Sequence, residues 1–276
     1  MSKQVVFITD ADSDSGKALI RRFAREGAGL LLNSASGGKE LSNLPELSRT
    51  DGTKAHIVNI DLCKSSHISA MLDEAERELG AVTALVHNNR AIGPALVETC
   101  GEALFLDILN ANAKSAFFCT QTVGRRMAAR GGGSVVLVGS IHGEKPTGAS
   151  FPYSASQGAV KMLAREAAIF LGRHGIRVNL IEMGPVEGSD VLFQSELSSL
   201  YDSYRYKVPS GELGTCDDLA ELACFLCRDE AQYLNGADIR LDGGFLMHYM
   251  DSKVSPPPSP PPGDHSISAS ESRGTP

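Results

Sequence analysis

Short apolar runs alternate along the chain with longer segments in which apolar residues recur at helical spacing. The apolar runs predict buried strands at Val5–Thr9, Leu30–Asn33, Ala55–Ile60, Ala84–His87, Ser134–Val138, Arg177–Ile181 and Asp238–Leu241. The helical spacing predicts helices at Ser15–Glu26, Ser65–Leu79, Leu104–Arg130, Ser154–His174 and Asp217–Asp229. Because the strands are apolar on both sides and separated by helices, we predict an α/β fold with a doubly wound parallel sheet of about seven strands.

Two regions depart from this alternation. Residues 188–212 interrupt it before the last helix, and their scattered large apolar residues predict a helical flap over a binding site. Residues 251–276 are rich in proline and serine and carry too little apolar surface to form a core, which predicts a disordered tail. We therefore predict a single domain over residues 1–250, followed by that tail.

Composition and charge exclude several classes of partner. The 276 residues carry a formal net charge of -7, so no basic surface for nucleic acid is expected. No apolar run approaches the length of a membrane span, and the chain starts directly with a strand pattern, so neither a membrane segment nor a signal peptide is expected. The six cysteines are scattered, unlike a disulfide framework, and predict a reducing, cytoplasmic setting.

Short polar motifs follow the predicted strands in a fixed order. Ser140 precedes Tyr153 by thirteen residues, and Tyr153 opens a predicted helix. The other motif residues are Asp61 at the end of the third strand, Asn88 after the fourth, Asn112 in the long helix and Asp242-Gly243-Gly244 after the last strand. Together they resemble the short-chain dehydrogenase/reductase family over residues 3–247, nearest to the 3-oxoacyl-reductase and glucose-dehydrogenase-like subgroup. The resemblance implies a Rossmann-like domain.

The resemblance also implies catalytic roles. The phenol of Tyr153 would exchange a proton with the substrate oxygen, the hydroxyl of Ser140 would position that oxygen, and Asn112 would anchor a water chain. The family's lysine one turn after the tyrosine is replaced by Gln157, which carries no charge to stabilise a phenolate. Acid–base catalysis contributes about 10²–10⁴-fold in rate, so this part of the activity should be weakened. Lys145 and Lys161 remain alternative sources of a cation.

By the same resemblance the cofactor would be NAD or NADP. The residues assigned to it are Thr9, Ser13, Ser15, Gly16, Asn33, Asp61, Leu62, Asn88, Gly184 and Val186. The family's glycine-rich loop keeps only Gly16, because aspartates stand at the first two glycine positions, Asp10 and Asp14. These carboxylates oppose the pyrophosphate, and we expect Ser13 or Asp14 to cap the helix. Arg90 replaces a glycine and places bulk where adenosine packs in the family.

The acidic loop also invites a calcium interpretation. Asp10-x-Asp12-x-Asp14 has the alternate acidic positions of an EF-hand loop. Such a loop needs glycine at its sixth position and glutamate at its twelfth, where this chain has Ser15 and Arg21. We therefore predict a solvated acidic turn and no metal site.

Three functions remain open at this stage. The first is a weakened NAD(P)-dependent oxidoreductase acting on a small alcohol or ketone. The second is a non-catalytic family member, or pseudoenzyme, that serves as a subunit, regulator or small-molecule binder. The third is a nucleotide-independent Ser–Tyr enzyme similar to haloalcohol dehalogenases, which carry arginine where Gln157 stands. In each case the resemblance implies a homodimer or homotetramer in which the helices at Leu104–Arg130 and Ser154–His174 pair across a two-fold axis.

Overall fold

One parallel sheet organises the molecule. The computed structural model describes residues 4–44, 47, 53–187 and 207–247. Seven strands hydrogen-bond in the order β3-β2-β1-β4-β5-β6-β7, and every neighbouring pair is parallel. Their bounds are β1 Val5–Ile8, β2 Gly29–Asn33, β3 Ala55–Val58, β4 Ala84–His87, β5 Gly133–Ser140, β6 Ile176–Met183 and β7 Asp238–Leu241. The predicted seven-stranded, doubly wound sheet is confirmed.

Helices cover both faces of this sheet. They are α1 Asp14–Arg25, α2 Ser65–Leu79, α3 Glu102–Leu109, α4 Ser115–Ala128, α5 Phe151–Gly172 and α6 Cys216–Leu226. Side chains alternate between the two faces along a strand, so Val6 and Ile8 join one core with α1 and α6, whereas Val5 and Phe7 join a second core with α2, α4 and α5. Burial on both faces explains why β1, β4 up to His87 and the middle of β5 are apolar.

Most boundaries differ from prediction by a few residues, and two of the differences have local reasons. The predicted helix Leu104–Arg130 is divided by a π-helical turn, Asn110–Lys114, that separates α3 from α4. The prediction that Asp61 ends the third strand is wrong, because β3 ends at Val58. Beyond that point the amide of Ile60 donates to the side chain of Asn33 at 3.0 Å instead of extending the ladder.

The predicted flap and tail fall mostly outside the described residues. Of the flap, the structure describes 207–212, and the tail at 251–276 is not described. Within the described part, no helix combines the length and the apolar character that crossing a membrane requires.

Candidate active site

Ser140 and Tyr153 meet at the carboxyl end of the sheet. β5 ends at Ser140, whose Oγ caps the 3-10 turn Ile141–Gly143 by accepting from the amide of His142 at 3.2 Å. Tyr153 lies in the first turn of α5, where Pro152 has a favourable position because the amide it lacks would have no partner within the helix. The Tyr153 side chain is fully buried, and the nearby Ser140 hydroxyl acts to lower the pKa of its phenol.

Burial dominates the acidity of Tyr153. It raises the pKa of the phenol above the usual value, while the charge of Arg90 and the Ser140 hydroxyl lower it to a smaller extent. The net shift is upward, so Tyr153 is protonated at neutral pH. The aromatic ring of His142 packs edge-on against Tyr153 at a centroid distance of 6.2 Å. Burial lowers the pKa of His142, so this neighbour is neutral at pH 7.

Asn112 connects the tyrosine helix to the loop after β4. Its side chain accepts from the amide of Ala91 at 2.7 Å and donates to the carbonyl of Ala91 at 2.8 Å. It also donates to Ser156 Oγ at 2.9 Å, and that hydroxyl donates to the carbonyl of Tyr153 at 2.7 Å. The structure therefore brings Asn112 to the predicted site, where its amide holds protein groups together.

Gln157 lies one turn after Tyr153 and is buried at 2 % exposure. Neither its amide nitrogen nor its amide oxygen has a hydrogen-bond partner among the described residues. Of the two alternative cations, Lys161 is engaged with Glu182 at 2.8 Å and Glu144 at 3.1 Å, and Lys145 is exposed. Neither lysine takes the place of the missing one.

Side-chain hydrogen bonds hold the loop before α1. Ser13 is the N-cap of α1, and its Oγ accepts from the amide of Gly16 at 3.1 Å, as predicted. The side chain of Asn88 accepts from the amide of Asp10 at 2.9 Å and donates to its carbonyl at 2.8 Å. No described residue other than glycine has positive φ, so Asp10 and Asp14 replace glycines without left-handed backbone. Gly16 stays necessary, because a Cβ there would collide with the carbonyl of Asp10.

The side chain of Asp12 contacts residues just after the end of β2, and the sequence did not predict this contact. Its carboxylate accepts from Ser34 Oγ at 2.7 Å and from Ser36 N at 2.8 Å and Oγ at 3.0 Å. Burial works to raise the pKa of Asp12, but these hydrogen bonds lower it overall, so it is a carboxylate at neutral pH. By contrast, burial raises the pKa of Asp10, and the charge of Asp12 adds to that shift. The sequence feature that could have predicted the Asp12 contacts is the Ser-x-Ser pair directly after β2, Ser34 and Ser36, because its hydroxyls can donate to an acidic loop.

Of the other predicted cofactor residues, three belong to the hydrogen bonds around Asn88, whereas Asp61 lies apart from them. Thr9 and Ser15 join the Asn88 cluster, and Asn33 joins it by donating to the carbonyl of Thr9 at 3.2 Å. Asp61 is exposed, accepting from the amide of Cys63 at 2.9 Å.

The remaining three predicted cofactor residues have structural contacts. Leu62 lies in the core beneath α2. A Cβ at Gly184 would lie 2.5 Å from Asp242, so the chain needs glycine there. Val186 is buried and forms a bridge with Gly214. Within the described part of the chain, no group of three or more histidine, cysteine or acidic side chains is placed to hold a metal ion.

Comparisons with known proteins agree with this geometry. A family model described as enoyl-(acyl carrier protein) reductase matches residues 12–246. The chain is 30% identical to 2-(S)-hydroxypropyl-CoM dehydrogenase 3 of Xanthobacter autotrophicus, over 88% of this chain and 97% of that protein. It is 32% identical to an L-rhamnose 1-dehydrogenase (NAD(P)(+)) of Azotobacter vinelandii, over 89% and 97%. The crystal structure of a gluconate 5-dehydrogenase from Burkholderia cenocepacia, in complex with NADP and tartrate, is similar at a TM-score of 0.81 and 26% identity, over 90% and 96%.

Proposed function

This chain belongs to the short-chain dehydrogenase/reductase family, and from that premise we propose that it is an NAD(P)-dependent oxidoreductase acting on a small alcohol or ketone, with weakened proton transfer. The observation that carries the proposal is the buried pair of Ser140 and Tyr153 at the carboxyl end of β5. That edge of a doubly wound sheet is where such folds bind ligands.

The protein residues suggest which direction the reaction favours. A nicotinamide cofactor, when bound, supplies or accepts the hydride. The raised pKa of Tyr153, caused mainly by burial, keeps its proton on the phenol at neutral pH. A protonated phenol can donate to the oxygen of a ketone but accepts a proton from an alcohol poorly. Ser140, whose hydroxyl lies at the end of β5 beside Tyr153, would position the same oxygen. The site therefore favours reduction of a carbonyl.

The residues present fit a dinucleotide at one end of the site. The buried amide of Gln157 offers one donor and one acceptor, which matches the paired hydroxyls of a ribose beside the tyrosine helix. At the other end, Asp10 and Asp14 stand at the glycine positions that approach the pyrophosphate in the family. The first feature favours binding and the second weakens it, so we expect a low affinity.

The acidic loop is also the observation that favours a second candidate. In a non-catalytic family member the fold persists while its own side chains fill the cofactor site. Asp12 is fixed to Ser34 and Ser36, and Ser13 caps α1, so protein groups satisfy donors near the nucleotide end. Under this alternative the chain would serve as a subunit, regulator or binder of small molecules.

Nucleotide calorimetry on the full chain separates the two candidates. NAD(H) and NADP(H) are titrated separately, and reduction of a panel of small ketones is then followed by loss of reduced-nicotinamide absorbance. Saturable binding with turnover that disappears in Tyr153→Phe supports the oxidoreductase. Absence of binding at millimolar nucleotide overturns it in favour of the non-catalytic candidate.

We also propose a reducing, cytoplasmic location. All six cysteines are free thiols, and Cys119, Cys224 and Cys227 are buried. Burial raises the pKa of Cys227 to about 12, so this thiol is a poor nucleophile. Such thiols act as small apolar residues in packed helices, consistent with a compartment that does not form disulfides.

A further inference from the structure

Arg90 lies in a loop that is fixed on both sides. On its amino side, Asn88 bonds the backbone of Asp10 at 2.9 and 2.8 Å. On its carboxyl side, Asn112 bonds the backbone of Ala91 at 2.7 and 2.8 Å. These two pairs of hydrogen bonds restrict the backbone on both sides of residue 90, so the Cα of Arg90 has little freedom to move.

The hydrogen bonds of Asn112 connect this loop to the helix that carries Tyr153. Asn112 donates to Ser156 Oγ at 2.9 Å, and Ser156 donates to the carbonyl of Tyr153 at 2.7 Å. The loop carrying Arg90 is thereby tied on one side to the backbone of Asp10 and on the other to the first turn of α5.

We propose that Arg90 is the positioning residue that supplies the cation beside Tyr153, in place of the family's lysine at the position of Gln157. Its catalytic consequence rests on the proposed function, but its effect on the phenol does not. The cation comes from the loop after β4 instead of from the tyrosine helix. Because guanidinium stays charged across the accessible pH range, this cation is constant while the phenol titrates.

The electrostatic surroundings support this assignment. Burial raises the pKa of Tyr153, and the charge of Arg90 and the Ser140 hydroxyl oppose that shift. The charge of Arg90 also lowers the pKa of His142 and that of Asp10, although burial has the largest effect on both. The charge of Arg90 thus acts on groups from four elements: the α1 loop, the turn after β5, α5 and, through Cys216, the start of α6.

The other groups near the phenol do not supply this charge. His142 is held neutral by burial and donates Nδ1–H to the carbonyl of Lys145 at 2.9 Å. Gln157 is uncharged, and Lys161 is engaged by Glu182 and Glu144. The charge of Arg90 also acts on the carboxyl of Asp10, but burial raises the pKa of that carboxyl, which weakens its competition with the phenol.

The test is the ionisation of Tyr153 measured without nucleotide. The full chain has six tyrosines and is labelled with 3-fluorotyrosine, whose more acidic phenol titrates at lower pH. Each fluorine resonance is followed by NMR against pH, and Tyr153→Phe assigns the signal of interest. Wild type is compared with Arg90→Met, with Arg90→Lys and with Arg125→Met, an exposed arginine on α4 as the matched control.

We expect Arg90→Met to raise the titration midpoint of Tyr153 by about one pH unit or more, a tenfold change in its ionisation constant. Arg90→Lys should recover most of that shift, and Arg125→Met should leave the midpoint unchanged. Equal midpoints in wild type and Arg90→Met, or no recovery in Arg90→Lys, would overturn the assignment. A phenol that stays neutral up to unfolding in wild type also counts against it.

The two proposals fail separately. If nucleotide binding and turnover are absent but the midpoint depends on Arg90, the cation assignment stands and the oxidoreductase proposal falls. If turnover is present, its pH profile gives a second readout, and Arg90→Met should move the limb that reports Tyr153 to higher pH. An unchanged profile in an active Arg90→Met enzyme contradicts the assignment even when the oxidoreductase proposal holds.

Discussion

At the scale of single residues, Gln157 shows a conflict between stability and binding. Its buried amide has two polar atoms without partners among the described residues, and each such atom costs about 1–3 kcal/mol. Gln157→Met keeps the length of the side chain and removes both atoms. We expect the free energy of unfolding, measured in urea, to rise by about 1–2 kcal/mol while calorimetric affinity for nucleotide falls. Gln121→Met on α4, which is only partly buried, is the control and should change neither quantity appreciably.

A loss of stability in Gln157→Met would show that the amide is satisfied in solution, for instance by water. Unchanged nucleotide affinity with raised stability would separate the two roles and remove Gln157 from the proposed ribose site.

His87 gives a prediction about pH. Its ring is fully buried, and burial lowers its pKa to about 3, against 6.5 unfolded. The unfolded state therefore binds the extra proton between these values, so stability falls as pH drops below 6.5 by roughly 1.4 kcal/mol per unit. His87→Asn should flatten this acid limb in urea unfolding at pH 4–7, and His174→Asn, an exposed site, should not. Parallel pH curves for wild type and His87→Asn would refute a neutral buried imidazole.

The residue types and their order in the sequence predicted only part of the candidate active site. The motif predicted Ser140 beside a strand end and Tyr153 at a helix start, and β5 and α5 have them there, while their catalytic roles stay predictions. The cap at Ser13 followed equally from local rules. The contacts of Asp12 and of the loop that carries Arg90 involve residues distant in the sequence, which no local pattern contains.

At the scale of elements, Lys161 joins α5 to the edge of the sheet. It contacts Glu182 of β6 at 2.8 Å and Glu144 after β5 at 3.1 Å, and the Glu182 side chain is 2 % exposed. Lys161→Met would leave a buried carboxylate, which Arg240 contacts only at 3.9 Å. We expect a loss of about 3 kcal/mol in unfolding free energy at pH 7. Lys114→Met, at an exposed lysine, should cost little.

The raised pKa of Lys161 predicts that the free energy of unfolding falls at alkaline pH. Burial works to lower the pKa of Lys161, but Glu182 and Glu144 outweigh it and raise the pKa above 10.5. Its contribution to stability is therefore complete below pH 10.5 and is lost as pH rises through the folded value. Stability curves of wild type and Lys161→Met should converge at high pH, and a constant gap would contradict an ionic contribution.

The elements themselves followed from the sequence to different degrees. Strands at Ala84–His87 and Asp238–Leu241 and the helix at Ser65–Leu79 match the predicted bounds, since their apolar runs end at turn residues. The π-helical turn was not predictable. It presents Asn112 to Ala91 and Ser156, and a π turn is favoured only when such tertiary partners are present.

At the scale of the whole molecule, an apolar face is exposed along α4 and α5. It includes Phe117, Met162, Ile169 and Phe170, which are 44%, 53%, 66% and 62% exposed. Among the alanines of α5, Ala164 and Ala168 are buried in the core, whereas Ala155 and Ala159 are exposed. A contiguous apolar face of this kind is typical of an interface, and the same two helices are those that the family resemblance pairs across a two-fold axis.

We therefore predict a homodimer or homotetramer that uses this face. Ile169→Glu combined with Phe170→Glu would bury charges at the interface and should convert the assembly to monomer, measured as molar mass by light scattering after size-exclusion chromatography. Val97→Glu, at a 67% exposed position in the loop before α3, is the control and should leave the mass unchanged. Because the two substitutions lie on the exposed side of α5, the monomer should keep its fold by circular dichroism. A wild-type monomer, or an assembly that survives both glutamates, would place the interface elsewhere and leave this face without a role in assembly.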